Sequence, residues 1–250
     1  MDTRVIPSGY ADLDHLTGGY VLHDMTELSG LPASGKTTMA LRAVAAAQSA
    51  GLSVLYVDAD CALSATVAAQ CGVDLDSLAV VRPRDCEECM NMVLPLVESG
   101  TIDFLVVDSL QSLVSCEERE SFLGTRLRDS LEAVVGKFLD ELFDYCVEER
   151  RVTCLLVSQM RHWRNREGRW EQTILCNERL RHMACLRLYV SRQEVYGTPG
   201  DAGTADNAGR ENWTAGSVWP EVTGYTYSVE VKRNNADPSK VGQRCCYLSL

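Results

Sequence analysis

The sequence predicts an α/β fold with a mostly parallel central sheet and helices on both faces. Short runs rich in Val and Leu alternate with longer segments whose apolar residues recur at helical spacing. The short runs are apolar on both faces, as expected for strands that helices cover from both sides. One of these runs leads directly into a glycine-containing turn that opens a helix, which is the strand–turn–helix unit of such folds.

The predicted elements follow one another along most of the chain. Strands are expected at Met25–Ser29, Ser53–Val57, Leu78–Val81, Phe104–Val107, Val152–Val157 and Cys185–Val190. Helices are expected at Lys36–Ala50, Ala62–Cys71, Cys86–Glu98 and Gly124–Glu149. The last of these carries apolar residues with a 3.6-residue period along a single face, so one face of this helix is buried.

The pattern changes after Val190. Residues 197–216 are dense in Gly, Asp, Asn, Thr and Ala, which predicts a long exposed loop. Two further strands are expected at Thr226–Val231 and Arg244–Leu250, forming an antiparallel hairpin that extends the sheet. No internal repeat is visible, and we expect residues 1–250 to form one domain.

Composition excludes several classes of protein. With 46% hydrophobic and 24% charged residues, the chain is neither disordered nor fibrous. No apolar run approaches the roughly 20 residues of a membrane span, and the N-terminus lacks the pattern of a secretory signal, so a cytoplasmic protein without a membrane partner is expected. The 11 cysteines lie mostly in apolar segments, and Cys86 and Cys89 lack a second pair, so reduced thiols are expected.

Residues 30–37 form a phosphate-binding motif. They read Gly-Leu-Pro-Ala-Ser-Gly-Lys-Thr, which fits G-x-x-x-x-G-K-[ST] after a strand and before a helix. The glycines let the backbone wrap a phosphate, and the helix N-terminus directs amide groups toward it. Lys36 is expected to clamp the terminal phosphates. The predicted nucleotide contacts are Gly30, Pro32, Ala33, Ser34, Gly35, Lys36, Thr37 and Thr38.

A metal-binding pair is predicted beside this loop. Asp108 follows four apolar residues, at the end of the predicted strand Phe104–Val107. Ligands of parallel sheets gather at the carboxyl ends of strands, so Asp108 is expected to face the phosphates. The hydroxyl of Thr37 and the carboxylate of Asp108 would then hold Mg²⁺ bound with the nucleotide.

Several segments together resemble the core of the bacterial RecA recombinase family. They are the segment from Ile6 to Gly9, the strand and turn from Leu55 to Leu63, the segment from Ser99 to Ser109, and the strand end from Leu155 to Arg161. The resemblance implies a RecA-like P-loop NTPase that uses ATP and Mg²⁺ and hydrolyses ATP to ADP and phosphate. It also implies single-stranded DNA as a partner and self-association into a filament or ring.

The resemblance also implies roles for two polar residues beside the loop. Asp60 stands where the family has the glutamate that activates the attacking water, and because aspartate is shorter, slow hydrolysis is expected. Gln159 stands where the family senses the γ-phosphate. Together with Lys36 they form the predicted catalytic set. The alternatives are that Asp60 only accepts a hydrogen bond at a strand end and that Gln159 is a surface amide.

Other positions depart from the family pattern. The sequence is expected to lack the family's separate N-terminal helix and its C-terminal domain. Ser64 and Val67 replace the acid and tyrosine near adenine, so base recognition is expected to be looser or achieved otherwise. The basic residues that the family contributes across the subunit interface are partly kept: Lys232 aligns with one lysine, Asn234 replaces the second, and Arg233 lies between them. The resemblance therefore implies a nucleotide contact from Lys232 and Arg233 across that interface.

A basic and aromatic segment follows Gln159. In a chain of net charge −11 it concentrates arginine and tryptophan, which together suit single-stranded nucleic acid. The predicted DNA contacts are Arg161, Trp163, Arg164, Arg166, Arg169 and Trp170. The alternative is an interface loop that binds a protein partner or the acids of a neighbouring subunit.

Two functions therefore stay open from the sequence. The first is a minimal DNA-dependent ATPase of recombination or repair. The second is a nucleotide-gated regulatory or assembly module with no role on DNA. Stimulation of ATP turnover by single-stranded DNA distinguishes them.

Overall fold

The computed structural model of this chain describes residues 5–121, 128–164, 170–197 and 221–249. Its strands are β1 (Val5–Ile6), β2 (Tyr20–Val21), β3 (Met25–Gly30), β4 (Val54–Asp58), β5 (Ala79–Val81), β6 (Phe104–Asp108), β7 (Thr153–Gln159), β8 (Arg161–Arg164), β9 (Trp170–Thr173), β10 (Leu186–Gly197), β11 (Glu221–Asn234) and β12 (Arg244–Ser249). The helices are α1 (Ala11–Thr17), α2 (Lys36–Ser49), α3 (Ala65–Gln70), α4 (Cys86–Glu98), α5 (Cys116–Glu120), α6 (Arg128–Phe143) and α7 (Asn177–Met183).

Eight strands form one central sheet in the order β12-β11-β10-β3-β7-β6-β4-β5. The six strands from β10 to β5 are parallel to their neighbours. β11 and β12 continue the sheet from β10 in antiparallel fashion. The predicted fold class is confirmed: a mostly parallel sheet with a C-terminal antiparallel hairpin extension.

The sheet is buried on both faces. Along β6, Phe104 and Val106 join an apolar cluster with α1 and α2, whereas Leu105 and Val107 join a second cluster with α4 and α6. This alternation follows from the two-residue period of a strand. It explains why the central strands read as continuous apolar runs in the sequence, and it places helices on both faces as predicted.

The element boundaries differ most from the prediction at two helices and at β10 and β11, which are longer than the predicted strands. α3 begins at Ala65 rather than at Ala62, because the carboxylate of Asp58 accepts the backbone N–H groups of Ala62 and Leu63 and holds them in a turn. α6 ends at Phe143 and is followed by one π-helical segment, Asp144–Glu148. The small β1–β2 pair and α1 were not predicted, since two-residue strands and a two-turn helix carry too little periodic signal.

One ion pair lies inside the sheet. Glu27 of β3 is fully buried and pairs in register with Arg187 of β10. The guanidinium of Arg187 donates from Nε to the Glu27 carboxylate and from Nη2 to Oδ1 of Asn177, at 3.0 Å. Burial raises the pKa of Glu27, and the charge of Arg187 opposes that rise.

The two strands that flank the predicted exposed loop do pair antiparallel. Apart from Gly197, which ends β10, the segment 197–216 lies outside the described residues. In the described ranges, no helix has the length and apolar character needed to cross a membrane.

Candidate nucleotide-binding site

The turn between β3 and α2 depends on two glycines. Gly35 has a φ of 92°, a left-handed conformation that side chains rarely adopt. A Cβ at Gly35 would also lie 2.6 Å from Cε1 of Tyr227. A Cβ at Gly30 would collide with the carbonyl oxygen of Val190. The close approach of β10 to Gly30 and of β11 to Gly35 therefore requires glycine at both positions. At Gly35 the left-handed conformation favours glycine as well.

Lys36 lies buried at the start of α2. Its ammonium donates to the carbonyl oxygen of Leu31 at 2.6 Å and to Oγ of Ser34 at 3.3 Å. Burial lowers the pKa of Lys36, and the nearby carboxylates of Asp108 and Asp60 oppose that change. The Lys36 ammonium is thus held by uncharged oxygen atoms of the loop, at the place where a phosphate would bind.

Asp108 is bound by two hydroxyl groups. Its Oδ2 accepts hydrogen bonds from Oγ1 of Thr37 and from the phenol of Tyr56, each at 2.7 Å. Burial raises the pKa of Asp108, and the hydrogen bonds from Tyr56 and Thr37 act in the opposite direction. A hydroxyl and a carboxylate in contact are hard oxygen ligands, so the pair fits a magnesium ion bound with phosphates.

Asp60 lies on an exposed turn after β4, and Oγ of Ser109 donates to its Oδ1 at 3.1 Å. The turn is held from behind by Asp58, which accepts the N–H of Ala62 at 2.9 Å and pairs with Nε of Arg82 at 2.8 Å. The carboxylate of Asp60 is thus fixed by a neighbouring loop and remains accessible to solvent.

Gln159 is the last residue of β7, the strand that lies between β3 and β6. Its backbone N–H donates to Oε1 of Gln111 at 2.6 Å. The next residue, Met160, donates its N–H to the carbonyl oxygen of Gly30 at 2.9 Å. The strand end that carries Gln159 is therefore joined by a backbone hydrogen bond to the first residue of the glycine turn.

These side chains surround one cavity of about 330 Å³. The structure brings together Lys36, Thr37, Asp60, Asp108 and Gln159, with Ala33, Ser34, Gly35 and Thr38 also in its lining. Gly30 and Pro32 belong to the turn, and neither of them lines the cavity. The cavity can hold a chain of phosphates at the amide groups of the turn, a metal at Thr37 and Asp108, and a water beside Asp60.

Sequence reasoning missed three residues of this site: Tyr56, Ser109 and Tyr227. Tyr56 carried a signal, because a tyrosine in an otherwise apolar strand needs a partner for its hydroxyl, and β4 pairs with the strand of Asp108. Ser109 directly follows Asp108. Tyr227 carried no signal in the sequence, since only the folded chain brings β11 to the glycine turn.

The basic and aromatic segment is a hairpin where the sequence predicted a loop. Arg161, Trp163 and Arg164 lie in β8, and Trp170 begins β9, with Arg164 paired to Trp170. Aromatic and β-branched residues favour strands, which accounts for the difference. Arg166 and Arg169 lie outside the described residues.

Lys232 and Arg233 do not join the cavity of Lys36. Lys232 pairs with Glu230 and lies 5.4 Å from the ring centroid of Tyr189. Nε of Arg233 donates to Oδ1 of Asn235 at 2.8 Å. Lys232 lines a second cavity of about 300 Å³, together with Arg181, Arg187 and Tyr189.

Cys86 and Cys89 lie buried in the first turn of α4. Burial raises the pKa of both thiols, that of Cys89 to about 12. No group of three His, Cys, Asp or Glu side chains in the described ranges is arranged to hold a metal ion. These observations agree with reduced cysteines that serve as small apolar residues.

Comparison with known proteins identifies the family. A family model of the RecA N-terminal domain matches residues 1–204. Protein RecA of Streptomyces coelicolor is 32% identical over 194 residues, which cover 77% of this chain and 52% of that protein. Protein RecA of Chlorobaculum parvum is 34% identical over 163 residues, 64% of this chain and 47% of its own length. The chain thus spans about half the length of these relatives, and it belongs to the RecA family.

Proposed function

We propose that this chain binds ATP with Mg²⁺, hydrolyses it to ADP and phosphate, and binds single-stranded DNA in recombination or repair. One observation carries the proposal. The 2.7 Å hydrogen bond between Thr37 and Asp108 lies in a single cavity with Lys36, Asp60 and Gln159. These residues would supply at one place the parts that phosphoryl transfer needs: a charge clamp, metal ligands, and polar groups to position water.

The residues divide the work as follows. The amide groups of the glycine turn and the ammonium of Lys36 bind the phosphates and offset their charge. Thr37 and Asp108 would hold the metal, which neutralises charge on the phosphate oxygens when bound. Asp60 orients the attacking water and accepts its proton.

The role of Asp60 has a direct test. Asp60→Asn should keep the affinity for ATP and lower kcat by about 10²- to 10⁴-fold, since it removes the group that positions and deprotonates water. Asp60→Glu gives the carboxylate the reach that is usual in the family and should raise turnover above that of the wild type. Nucleotide titration and steady-state turnover measure the two quantities separately. An equal loss of binding and turnover in Asp60→Asn would leave only a structural role for this carboxylate.

The coupling of nucleotide to DNA follows from the strand end at Gln159. The hairpin that carries Arg161, Trp163 and Arg164 begins two residues after Gln159. A γ-phosphate contact at Gln159 would shift this strand end, and the hairpin is continuous with it. Arginine and tryptophan bind backbone phosphates and stacked bases without a sequence requirement.

A second function remains because the chain is strongly acidic overall, with a net charge of −11. That charge opposes nucleic acid outside the hairpin and favours a nucleotide-gated regulatory or assembly module. In this alternative the hairpin binds a protein partner or a neighbouring subunit.

ATP turnover with and without single-stranded DNA decides between the two. We expect DNA to raise the rate, and we expect no such effect with an Arg161, Arg164 and Arg166 triple alanine variant. Turnover that is identical with and without DNA would support the regulatory module.

We propose self-association of this chain into a filament or ring, with Lys232 and Arg233 reaching the nucleotide of a neighbouring subunit. The support is that Lys232 lines a cavity separate from that of Lys36 in its own chain. Light scattering with and without ATP tests this, and a monomer under both conditions would contradict it.

A further inference from the structure

Tyr227 stands apart from the other groups around the nucleotide cavity. Among the described residues that line this cavity it is the only aromatic one, and the others are polar, charged or small. Its ring lies against the glycine turn, since Cε1 is 2.6 Å from the position of a Cβ on Gly35. An aromatic surface is thus part of a site whose other walls suit phosphate, metal and water.

The fold explains how a residue of β11 reaches this point. Gly30, the last residue of β3, pairs with Val190, and β10 continues to Gly197 beyond the end of β3. β11 accompanies it, with Tyr227 paired to Arg192. Val231 and Val229 are buried in the cluster that includes α2. Tyr227 is the next residue on that face of β11, at the level of the N-terminus of α2.

The same face continues past the glycine turn. Cross-strand partners lie on one face of a ribbon, so Arg192 shares the face of Tyr227. The guanidinium of Arg192 lies 4.4 Å from the ring centroid of Tyr225, which is two residues from Tyr227. Two rings and one guanidinium therefore form a continuous aromatic wall, defined here as Tyr225, Tyr227 and Arg192.

A bound nucleotide has two chemically different ends. The terminal phosphates belong at Lys36, Asp108 and Gln159, so the nucleoside must leave the cavity on a side without these groups. A base is planar and weakly polar on its faces, and it stacks on tyrosine rings and guanidinium planes.

We propose that the aromatic wall binds the nucleoside of the nucleotide, with Tyr227 as the residue that packs directly against it. This inference rests on the proposed nucleotide binding and names the part of the ligand that this face recognises. It assigns affinity for the base and sugar to the C-terminal hairpin and affinity for the phosphates to the glycine turn.

The test compares ligands with and without a nucleoside. Binding of ATP, ADP and inorganic tripolyphosphate is measured by calorimetry on the full chain and on Tyr227→Ala and Tyr227→Phe. Tyr227→Ala should weaken ATP and ADP by about five- to a hundred-fold, the loss of one stacked base, and leave tripolyphosphate within about twofold. Tyr227→Phe keeps the ring and should bind all three ligands as the wild type does.

Other outcomes overturn the inference in distinguishable ways. Equal weakening of ATP and tripolyphosphate in Tyr227→Ala would show that the ring only supports the glycine turn. Tighter nucleotide binding would show that the ring obstructs the site. Unchanged ATP affinity would place the nucleoside elsewhere, while the proposed function stands. A wild-type chain that binds neither ATP nor tripolyphosphate would remove the proposed function together with this inference.

Discussion

Two cavities beside the parallel strands carry positive charge in different ways. In the nucleotide cavity, the ammonium of Lys36 donates to neutral oxygens of the glycine turn. In the second cavity, the three cations are each paired with a carboxylate: Arg181 with Glu178, Arg187 with Glu27, and Lys232 with Glu230. A cation held by neutral groups is directly available to an incoming anion, whereas a paired cation must first exchange its carboxylate partner for that anion. The number of basic residues therefore says less about anion binding than the identity of their partners.

The largest expected effect concerns Lys36. Lys36→Ala should reduce ATP turnover by at least about 100-fold and weaken nucleotide binding, because the charge that offsets the phosphates is lost. Arg181→Ala, a cation of the second cavity, is the matched control and should leave turnover near the wild-type value. Steady-state phosphate release measures both variants. If Lys36→Ala turned over ATP at the wild-type rate, the conclusion that Lys36, unlike the paired cations, binds the phosphates would be wrong.

Substitution of Arg187, which lines the second cavity, should change the stability of the fold. Arg187→Met should lower the free energy of unfolding by about 3–5 kcal/mol at neutral pH, because ionised Glu27 is left buried without its partner. The double variant Glu27→Gln with Arg187→Met is the control and should recover most of the loss. Urea denaturation followed by circular dichroism measures these differences. A loss in Arg187→Met that the double variant does not recover would assign the effect to packing.

The pH dependence of this variant has a definite sign. The pKa of Glu27 is raised in the fold by burial, and removal of Arg187 raises it further. Ionised Glu27 then costs stability above its folded pKa, and this cost disappears as the pH falls through that pKa toward the unfolded value. The stability deficit of Arg187→Met relative to wild type should therefore be smaller at about pH 5 than at about pH 7.

A smaller effect is expected at Tyr56, which sharpens the description of the nucleotide cavity. Tyr56→Phe removes one of the two hydrogen bonds to Oδ2 of Asp108 and leaves the strand packed. We expect the Mg²⁺ concentration needed for half-maximal turnover to rise about five- to tenfold, the equivalent of one buried hydrogen bond of about 1–1.5 kcal/mol. Nucleotide affinity without Mg²⁺ should stay the same. If affinity falls equally with and without Mg²⁺, Tyr56 does not position the metal ligand.

The last prediction concerns the β8–β9 hairpin. Arg164→Ala should flatten the log–log salt dependence of single-stranded DNA binding by about 0.7, the loss of one phosphate contact. Trp163→Ala should weaken binding by about 1–3 kcal/mol with little change in that slope. Fluorescence anisotropy of a labelled oligonucleotide at two salt concentrations measures both, with Arg181→Ala as a control. A slope that ignores Arg164 would favour a protein partner for the hairpin.

The sequence predicted the parts of this fold that depend on short-range patterns. The glycine turn of residues 30–37 and the strand that ends at Asp108 were both visible, because their chemistry and their periodicity lie within a few residues. The pairing of Tyr56 with Asp108 and of Glu27 with Arg187 depends on which strands become neighbours. No local pattern encodes that order, so these contacts appeared only in the folded chain.

The hairpin strands show the same limit. Cys185–Val190 and Thr226–Val231 were predicted from their apolar residues, whereas β10 and β11 run on through Arg192 and Tyr225. Those ends are polar because they leave the covered sheet. Tyr225 and Arg192 lie beyond the predicted strands, whereas Tyr227 falls inside one of them. Its role was missed because its contact with Gly35 depends on the position of β11 in the folded sheet.

The hydrogen bond from the N–H of Met160 to the carbonyl oxygen of Gly30 connects the start of the β8–β9 hairpin to the glycine turn. This hydrogen bond is the pivot about which the hairpin would tilt, and the hairpin begins at Arg161. Four residues of strand span about 13 Å, so a tilt of about 10° at the pivot moves the far end by about 2 Å. A displacement of that size separates an arginine from a phosphate or a base from a ring. If the hairpin binds single-stranded DNA as we propose, a change too small to alter the phosphate contacts at one end would be large enough to release the DNA at the other.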